Sequence, residues 1–192
     1  MSRTRHLVAI AAALGLTVGL AGGALAGRAS TPSAVDRAPH ASATFVDASG
    51  AEVGWARLVE DATGIVHVSV HVRGLAPGLH GIHIHAVGAC APTFAAAGAH
   101  YNPLGHQHGL DNPAGAHAGD LPNLVVNEAG LGHLDAATDR VTLSSGPATL
   151  FDQTAGAVGS AFIIHANPDD QVTDAGNGGS GARIACAVIE SD

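Results

Sequence analysis

Lysine is missing from this chain: all eight basic residues are arginine, and they face 16 acidic residues for a formal net charge of −8. Binding a phosphate backbone takes a concentrated basic face, and no such run occurs, so no nucleic-acid partner is expected. A small anion is a different matter, because a local positive site can draw one in against the net charge. Aromatic residues are only 3% and charged residues only 12%, whereas apolar residues reach 46%. That apolar share supports a core and argues against a disordered chain, but Val, Ile, Leu and Ala must fill it. No amphipathic helical pattern of ordinary length appears either. With 26 glycines and 9 prolines, the chain favours short strands and turns over long helices. At 192 residues it has room for one domain plus a targeting segment.

The first 26 residues read as that segment. Arg3, Arg5 and His6 precede an uncharged apolar run from Leu7 that ends in Ala24-Leu25-Ala26. A basic start, an apolar stretch and an A-x-A ending describe a secretory signal peptide. The competing reading, a retained membrane anchor, has only a barely sufficient length of about 20 residues, and the small-residue ending favours cleavage. The exported chain is then expected to lack stable membrane insertion and to be secreted or held in the cell envelope. Arg3-Thr4-Arg5 is not a twin-arginine pair. Cleavage after Ala26 removes two arginines and no acid, taking the formal charge from −8 to −10. Only two cysteines exist, Cys90 and Cys186. No cysteine precedes Cys90, which excludes a lipid-modified cysteine at the cleavage site. Two thiols on an exported chain point to one disulfide, with two buried free thiols as the weaker alternative.

Residues 27–40 are rich in Ala, Ser, Thr, Pro and Arg and read as a flexible linker. From Ala41 to the end the texture is one of short alternating runs. Val66–Arg73 is the cleanest, with four valines on one face and His67, Ser69, His71 and Arg73 on the other, a half-solvated strand of period two. Further strands are expected at 43–47, 53–60, 81–85, 124–127, 132–136, 140–143, 160–166 and 182–189. An all-β sandwich or barrel follows. Two long connections, 86–123 and 167–181, interrupt the rhythm. Loops of that length in a compact domain are usually functional or disordered.

The chemistry concentrates in those loops. His83-Ile84-His85 sets two imidazoles on one strand face, roughly 6.5–7 Å apart at Cα, close enough to converge on one ion. His100, His108, His117 and Asp120 share the first loop, and His165 ends a later strand. Imidazole suits copper and zinc, and one carboxylate added to three imidazoles suits zinc. There are more ligands than one tetrahedral site needs, so two metals are expected. His67 and His71 lie about 13 Å apart on their strand and cannot share an ion; they read as surface histidines. His80 reads as structural, His106 as an exposed loop histidine, His133 as partnerless, and Trp55 and Tyr101 as packing residues.

The stretches Gly81–His85, His100-Tyr101-Asn102-Pro103-Leu104, His117-Ala118-Gly119-Asp120-Leu121 and Gly181–Cys186 resemble the copper–zinc superoxide dismutases, in order and spacing, across about 41–189. The resemblance implies a Greek-key β-sandwich or flattened barrel of about eight antiparallel strands. It implies copper on His83, His85, His100 and His165, and zinc on His100, His108, His117 and Asp120, with His100 bridging. Asp169 corresponds to a carboxylate linking ligands of the two sites, and Arg183 to the arginine that receives superoxide. Cys90 and Cys186 correspond to the family's intrasubunit disulfide. The implied reaction is dismutation of superoxide to O₂ and H₂O₂, with His100 carrying a proton. Members occur as dimers through different surfaces and as monomers, so a homodimer is compatible with the sequence. One departure stands out: the second loop carries Asp169, Asp170 and Asp174 but no lysine, so weak electrostatic acceleration is expected. An exported copper-binding or delivery protein would use the same ligands. Arg183 and Asp169, which storage does not need, favour the enzyme, and the complete zinc set argues against a copper-only relative.

Overall fold

Each alternating run becomes a strand whose apolar positions share one face. A computed structural model describes residues 38–151, 159–175 and 177–192; the expected signal peptide, and the linker up to residue 37, lie outside these. Ten strands follow in order: β1 His40–Asp47, β2 Glu52–Glu60, β3 Val66–Arg73, β4 Gly78–His80, β5 Ile82–His85, β6 Leu124–Val126, β7 Leu131–Thr138, β8 Ala161–His165, β9 Arg183–Val188 and β10 Glu190–Ser191. All strand pairings are antiparallel. The hydrogen-bonded order is β4-β6-β7-β3-β2-β1-β9-β8-β5, with β10 added beside β1. The two ends of that order, β4 and β5, are successive in the chain. Residues 78–85 therefore pair with β6 first and with β8 afterwards, which nearly closes the sheet into a barrel and leaves few open edges.

Two of the phenylalanines anchor the core. Phe45 and Phe162 are fully buried with ring centroids 5.9 Å apart, surrounded by Leu58, Val66, Val68, Val70, Ile82, Ile84, Leu121 and Leu124. Each such side chain withdrawn from water contributes roughly 1.5–3 kcal/mol. Strand β8 reads as a continuous apolar run because both of its faces are covered. Phe162 and Ile164 face the barrel core, while Ala161 and Ile163 pack with Ala97 and Cys186 in a small outer cluster. The Cys90–Cys186 disulfide, with Cα atoms 5.8 Å apart, closes over that cluster and ties the first loop to β9.

The observed strands depart from the expected ones in an added β4, an added β10 and the absence of a strand at 140–143. The run expected at 81–85 is β5, starting one residue later, and an unexpected short strand, β4, precedes it; Gly81 between them is the break that lets the chain change partners. Residues 140–143 form no strand. Thr142 makes a single bridge to Thr149, and buried Glu60 holds this segment by accepting the Leu143 and Ser144 amides at 2.7 and 2.8 Å. Trp55, expected to pack, does so on the outer face, where it is 48% exposed and lies against the His71 ring. Among the described residues no helix is long and apolar enough to cross a membrane.

Candidate metal centre

Strand β5 carries the site because it is dressed on both edges. Its Ile82 and Ile84 point into the core, so His83 and His85 lie on the outer face, and β8 pairs along one edge. The other edge is filled by the first loop: Tyr101 donates its amide to the Ile84 carbonyl at 2.8 Å, and Ile84 donates to Gly119 at 2.8 Å. Isolated bridges His83–Asp120 and His85–His100 extend this docking. Gly119 is needed there, because a Cβ would collide with the Ile84 carbonyl. The loop thus lies over β5, and His83, His85, His100, His108, Asp120 and His165 are all buried.

Two sets of donors emerge. His83, His85, His100 and His165 each offer a nitrogen, all within 4.8 Å of one another. His83 Nδ1, His85 Nε2, His100 Nε2 and His165 Nε2 are buried and have no hydrogen-bond partner. The opposite nitrogens are held. His85 Nδ1 donates to the Gly98 carbonyl at 2.9 Å, His165 Nδ1 donates to the Gly181 carbonyl at 2.9 Å, and His83 Nε2 faces the Asp169 carboxylate at 2.6 Å. A carbonyl only accepts, so His85 and His165 must carry the proton on Nδ1 and present a lone pair on Nε2. Four convergent lone pairs with no proton partner suit a soft-to-borderline transition metal.

The second set meets on Asp120. Its Oδ1 lies 3.1 Å from His100 Nδ1, 3.0 Å from His108 Nδ1 and 3.3 Å from His117 Nδ1, while His117 and His100 Nδ1 are 3.3 Å apart. Donors about 2.0 Å from a tetrahedral ion lie about 3.3 Å from each other, so this N₃O arrangement fits zinc. A purely compact grouping selects His83 with His100, His108 and Asp120 instead. His117 is the better fourth member, because His83 Nε2 is occupied by Asp169 and its Nδ1 belongs with the first set. His100 alone contributes to both sets, Nε2 to one and Nδ1 to the other.

Asp169 joins the two sets from below. It takes His83 Nε2 and also lies 2.9–3.1 Å from His108 Nε2. Asn123 clamps its backbone with two 2.8 Å hydrogen bonds, and Asp174 of the same loop accepts the His108 amide at 2.7 Å. Arg183 is the register partner of His165 across β8 and β9. Its guanidinium donates to the carbonyls of Phe94 at 2.6 Å and Gly98 at 2.7 Å, so Gly98 holds Arg183 and His85 together. His106 lies outside both sets, in a turn closed by Asn102. His80 is buried with both ring nitrogens against carbonyls, one of them that of His165, as a structural residue should be.

Burial sets the protonation of the first group. It pulls His83 down to about 3, with the Asp169 contact opposing, and His85 and His165 down to about 2 and 4. All three are neutral at neutral pH. Burial also depresses His108, but the Asp120 and Asp169 carboxylates outweigh it and raise it to about 10. Burial alone would raise both of these acids, yet their imidazole partners hold both well below the ordinary carboxylate range.

Sequence reading assigned no place at this site to Arg140, which donates to the Asp120 carbonyl at 2.8 Å, or to Asn123, and read Asp174 only as loop charge. These contacts join segments far apart in the chain and leave no local signal.

The copper/zinc superoxide dismutase family model matches residues 53–189. The chain belongs to the copper/zinc superoxide dismutase family. A superoxide dismutase [Cu-Zn] from Aquifex aeolicus is 40% identical over 153 residues, which cover 78% of this chain and 85% of the relative. The superoxide dismutase-like protein YojM of Bacillus subtilis is 37% identical over 148 residues, 76% of this chain and 73% of the relative. A solved dismutase-like protein from Bacillus subtilis superposes with a TM-score of 0.69 at 36% identity, covering 76% of this chain and 95% of that one. This family uses copper and zinc, and superoxide is its substrate; dismutation at a histidine metal site is accordingly this enzyme's activity.

Proposed function

We propose that His83, His85, His100 and His165 hold copper, that His100, His108, His117 and Asp120 hold zinc, and that the enzyme removes superoxide outside the cytoplasm. The observation that carries the assignment is the quartet of buried, unpartnered nitrogens, together with the division of the two His100 nitrogens between the donor sets. Bound copper supplies one-electron redox chemistry, and zinc supplies a fixed positive charge without redox. The balance is two superoxide ions and two protons giving O₂ and H₂O₂.

The protein's own contributions follow from the geometry. Arg183 supplies a fixed cation beside His85 and His165, and its two carbonyl contacts aim the fork so that the anion meets it in one orientation. His100 Nε2, buried and free of other partners, is the atom that would hold one of the two protons the H₂O₂ product requires. Its Nδ1, held among Asp120 and His117, keeps the ring in place. Asp169 fixes the rings of His83 and His108 together, so that neither set can rotate independently.

The basic and apolar start ending in Ala24-Leu25-Ala26 and the Cys90–Cys186 disulfide support export. The deciding experiment is dismutation by the purified mature chain after reconstitution, with both metals quantified. About one copper and one zinc per chain with fast turnover is expected. Full loading without turnover would replace the enzyme with a copper carrier. An intact mass that retains residues 1–26 would remove the cleavage reading and leave a retained membrane anchor in its place.

A further inference from the structure

The histidines on the outer barrel surface are not scattered. His71 of β3 and His133 of β7 are direct register partners, and their ring centroids lie 4.4 Å apart. Opposed positions on antiparallel strands hold their Cβ atoms about 4.5–5.5 Å apart on one face, so two imidazoles there can each turn a nitrogen toward one ion. One register step along the same face, Ser69 opposes Asp135. The Asp135 carboxylate lies 2.8 Å from His133 Nε2. His133 and Asp135 are 51% and 70% exposed, and Trp55 covers the other side of the His71 ring at 4.3 Å. His133 is thus not partnerless. Asp135 is two residues along its own strand, and His71 reaches it through a cross-strand register that no local pattern reveals. None of these residues belongs to the buried sets.

We propose that His71, His133 and Asp135 form a second, solvent-facing site for a divalent late transition-metal ion, with cupric copper its tightest occupant. Two imidazoles and a carboxylate suit copper, nickel and zinc, and the intrinsic order of affinity puts copper first. The ligands stand on paired strands, so the backbone that positions them is fixed before the metal arrives. The acidic excess of the chain raises the local concentration of cations. Two arginines border this face: Arg73, two residues along β3 from His71, turns its guanidinium to the Glu52 carbonyl at 3.2 Å, and Arg57 on β2 opposes Ser69, one step away from the histidine pair. His67 offers no equivalent: it faces Ala137 on β7 and is bound to Asp61 at 2.9 Å.

Trp55 is the only tryptophan, so its emission reports on this face alone. The test titrates cupric chloride into the enzyme already loaded at its buried sites, near neutral pH, while following that emission. Saturable quenching by one further equivalent is expected. His133→Asn keeps the His71 ring against Trp55, and should raise the midpoint about tenfold, equivalent to about 1.4 kcal/mol, with dismutation unchanged. His67→Asn should leave the midpoint where it is. Quenching that does not saturate, a His133→Asn midpoint raised less than about threefold, or an equal shift in His67→Asn would overturn the proposal.

Discussion

Replacing Gly119 by alanine tests whether the first loop is positioned by its contact with β5 or by the metals alone. The added Cβ would strike the Ile84 carbonyl and come within 3.0 Å of its carbon and 3.2 Å of the Ile84 Cβ. These are backbone and core atoms that cannot swing aside. Overpacking of this kind costs about 1–3 kcal/mol. If the loop lifts instead, the Ile84–Gly119 and Gly119–Tyr101 hydrogen bonds, both 2.8 Å, are lost at about 1 kcal/mol each. Either route costs the docked loop about 2–3 kcal/mol. Gly119 lies between His117 and Asp120, whereas His83, His85 and His165 stand on strands. The cost therefore falls mainly on the second donor set. About 3 kcal/mol corresponds to roughly a hundredfold weaker zinc, with copper affinity much less affected. Competition against a graded series of chelators, metal by metal, measures both constants in the purified variant. Zinc affinity within threefold of the parent, or equal losses of both metals, would refute the reasoning that this close approach sets the loop.

Asp169→Asn keeps the shape but loses the negative charge facing the two imidazoles, so zinc affinity should fall roughly 10–100-fold, as for other groups that orient metal-binding histidines, measured by the same competition. Arg183→Lys keeps the charge but cannot span the Phe94 and Gly98 carbonyls. With charge-assisted contacts worth about 1.5–3 kcal/mol, kcat/KM should drop roughly 10–100-fold in pulse radiolysis while metal content stays constant. The metal-free enzyme should lose stability as pH falls below about 6.5. His83, His85 and His165 have folded values of about 3, 2 and 4, so the unfolded chain binds more protons across that window. Near pH 5 the slope approaches about 4 kcal/mol per unit for three protons, readable in urea titrations. His108, raised to about 10, acts oppositely: its contribution is complete below about 6.5 and disappears as pH rises through 10. The dismutation rate should fall only gently with added salt, because the second loop brings no lysine and keeps Asp169, Asp170 and Asp174; a steep fall would contradict this.

Strand texture and ligand order were legible because both are local. Val66–Arg73 alternates strictly, and His83-Ile84-His85 tells a reader that one strand has a core face and a metal-binding face. The remainder depends on register and closure. Nothing in Gly78–His80 marks it as a separate strand, since the switch of partners at Gly81 is decided by β6 and β8, elements far downstream. Arg140 looked like the start of a strand because Val141 and Leu143 alternate, yet both are buried as loop anchors while Arg140 reaches back to the Asp120 carbonyl. Trp55 read as a packing residue, but which face it packs on was not legible. On its strand it alternates with Ala56, and the barrel interior takes the small residue.

The buried nitrogens tie stability to metal loading. Four imidazole nitrogens withdrawn from water without partners each carry a desolvation cost of about 1–3 kcal/mol, and a bound ion relieves all four together. The opposite nitrogens are already committed to Gly98, Gly181, Asp169 and Asp120, so the rings cannot turn to find protons elsewhere. The metal-free enzyme must therefore hold an unfavourable centre closed by other means. Core packing supplies one, and the Cys90–Cys186 bridge supplies another: closing a loop of 96 residues removes about 4–5 kcal/mol of unfolded-chain freedom in the entropic picture. That bridge fixes the first loop to β9 three residues beyond Arg183, beside the Phe94 and Gly98 carbonyls that aim the guanidinium. The covalent link thus supports the same segment that orients the Arg183 guanidinium, and does so whether or not metal is bound.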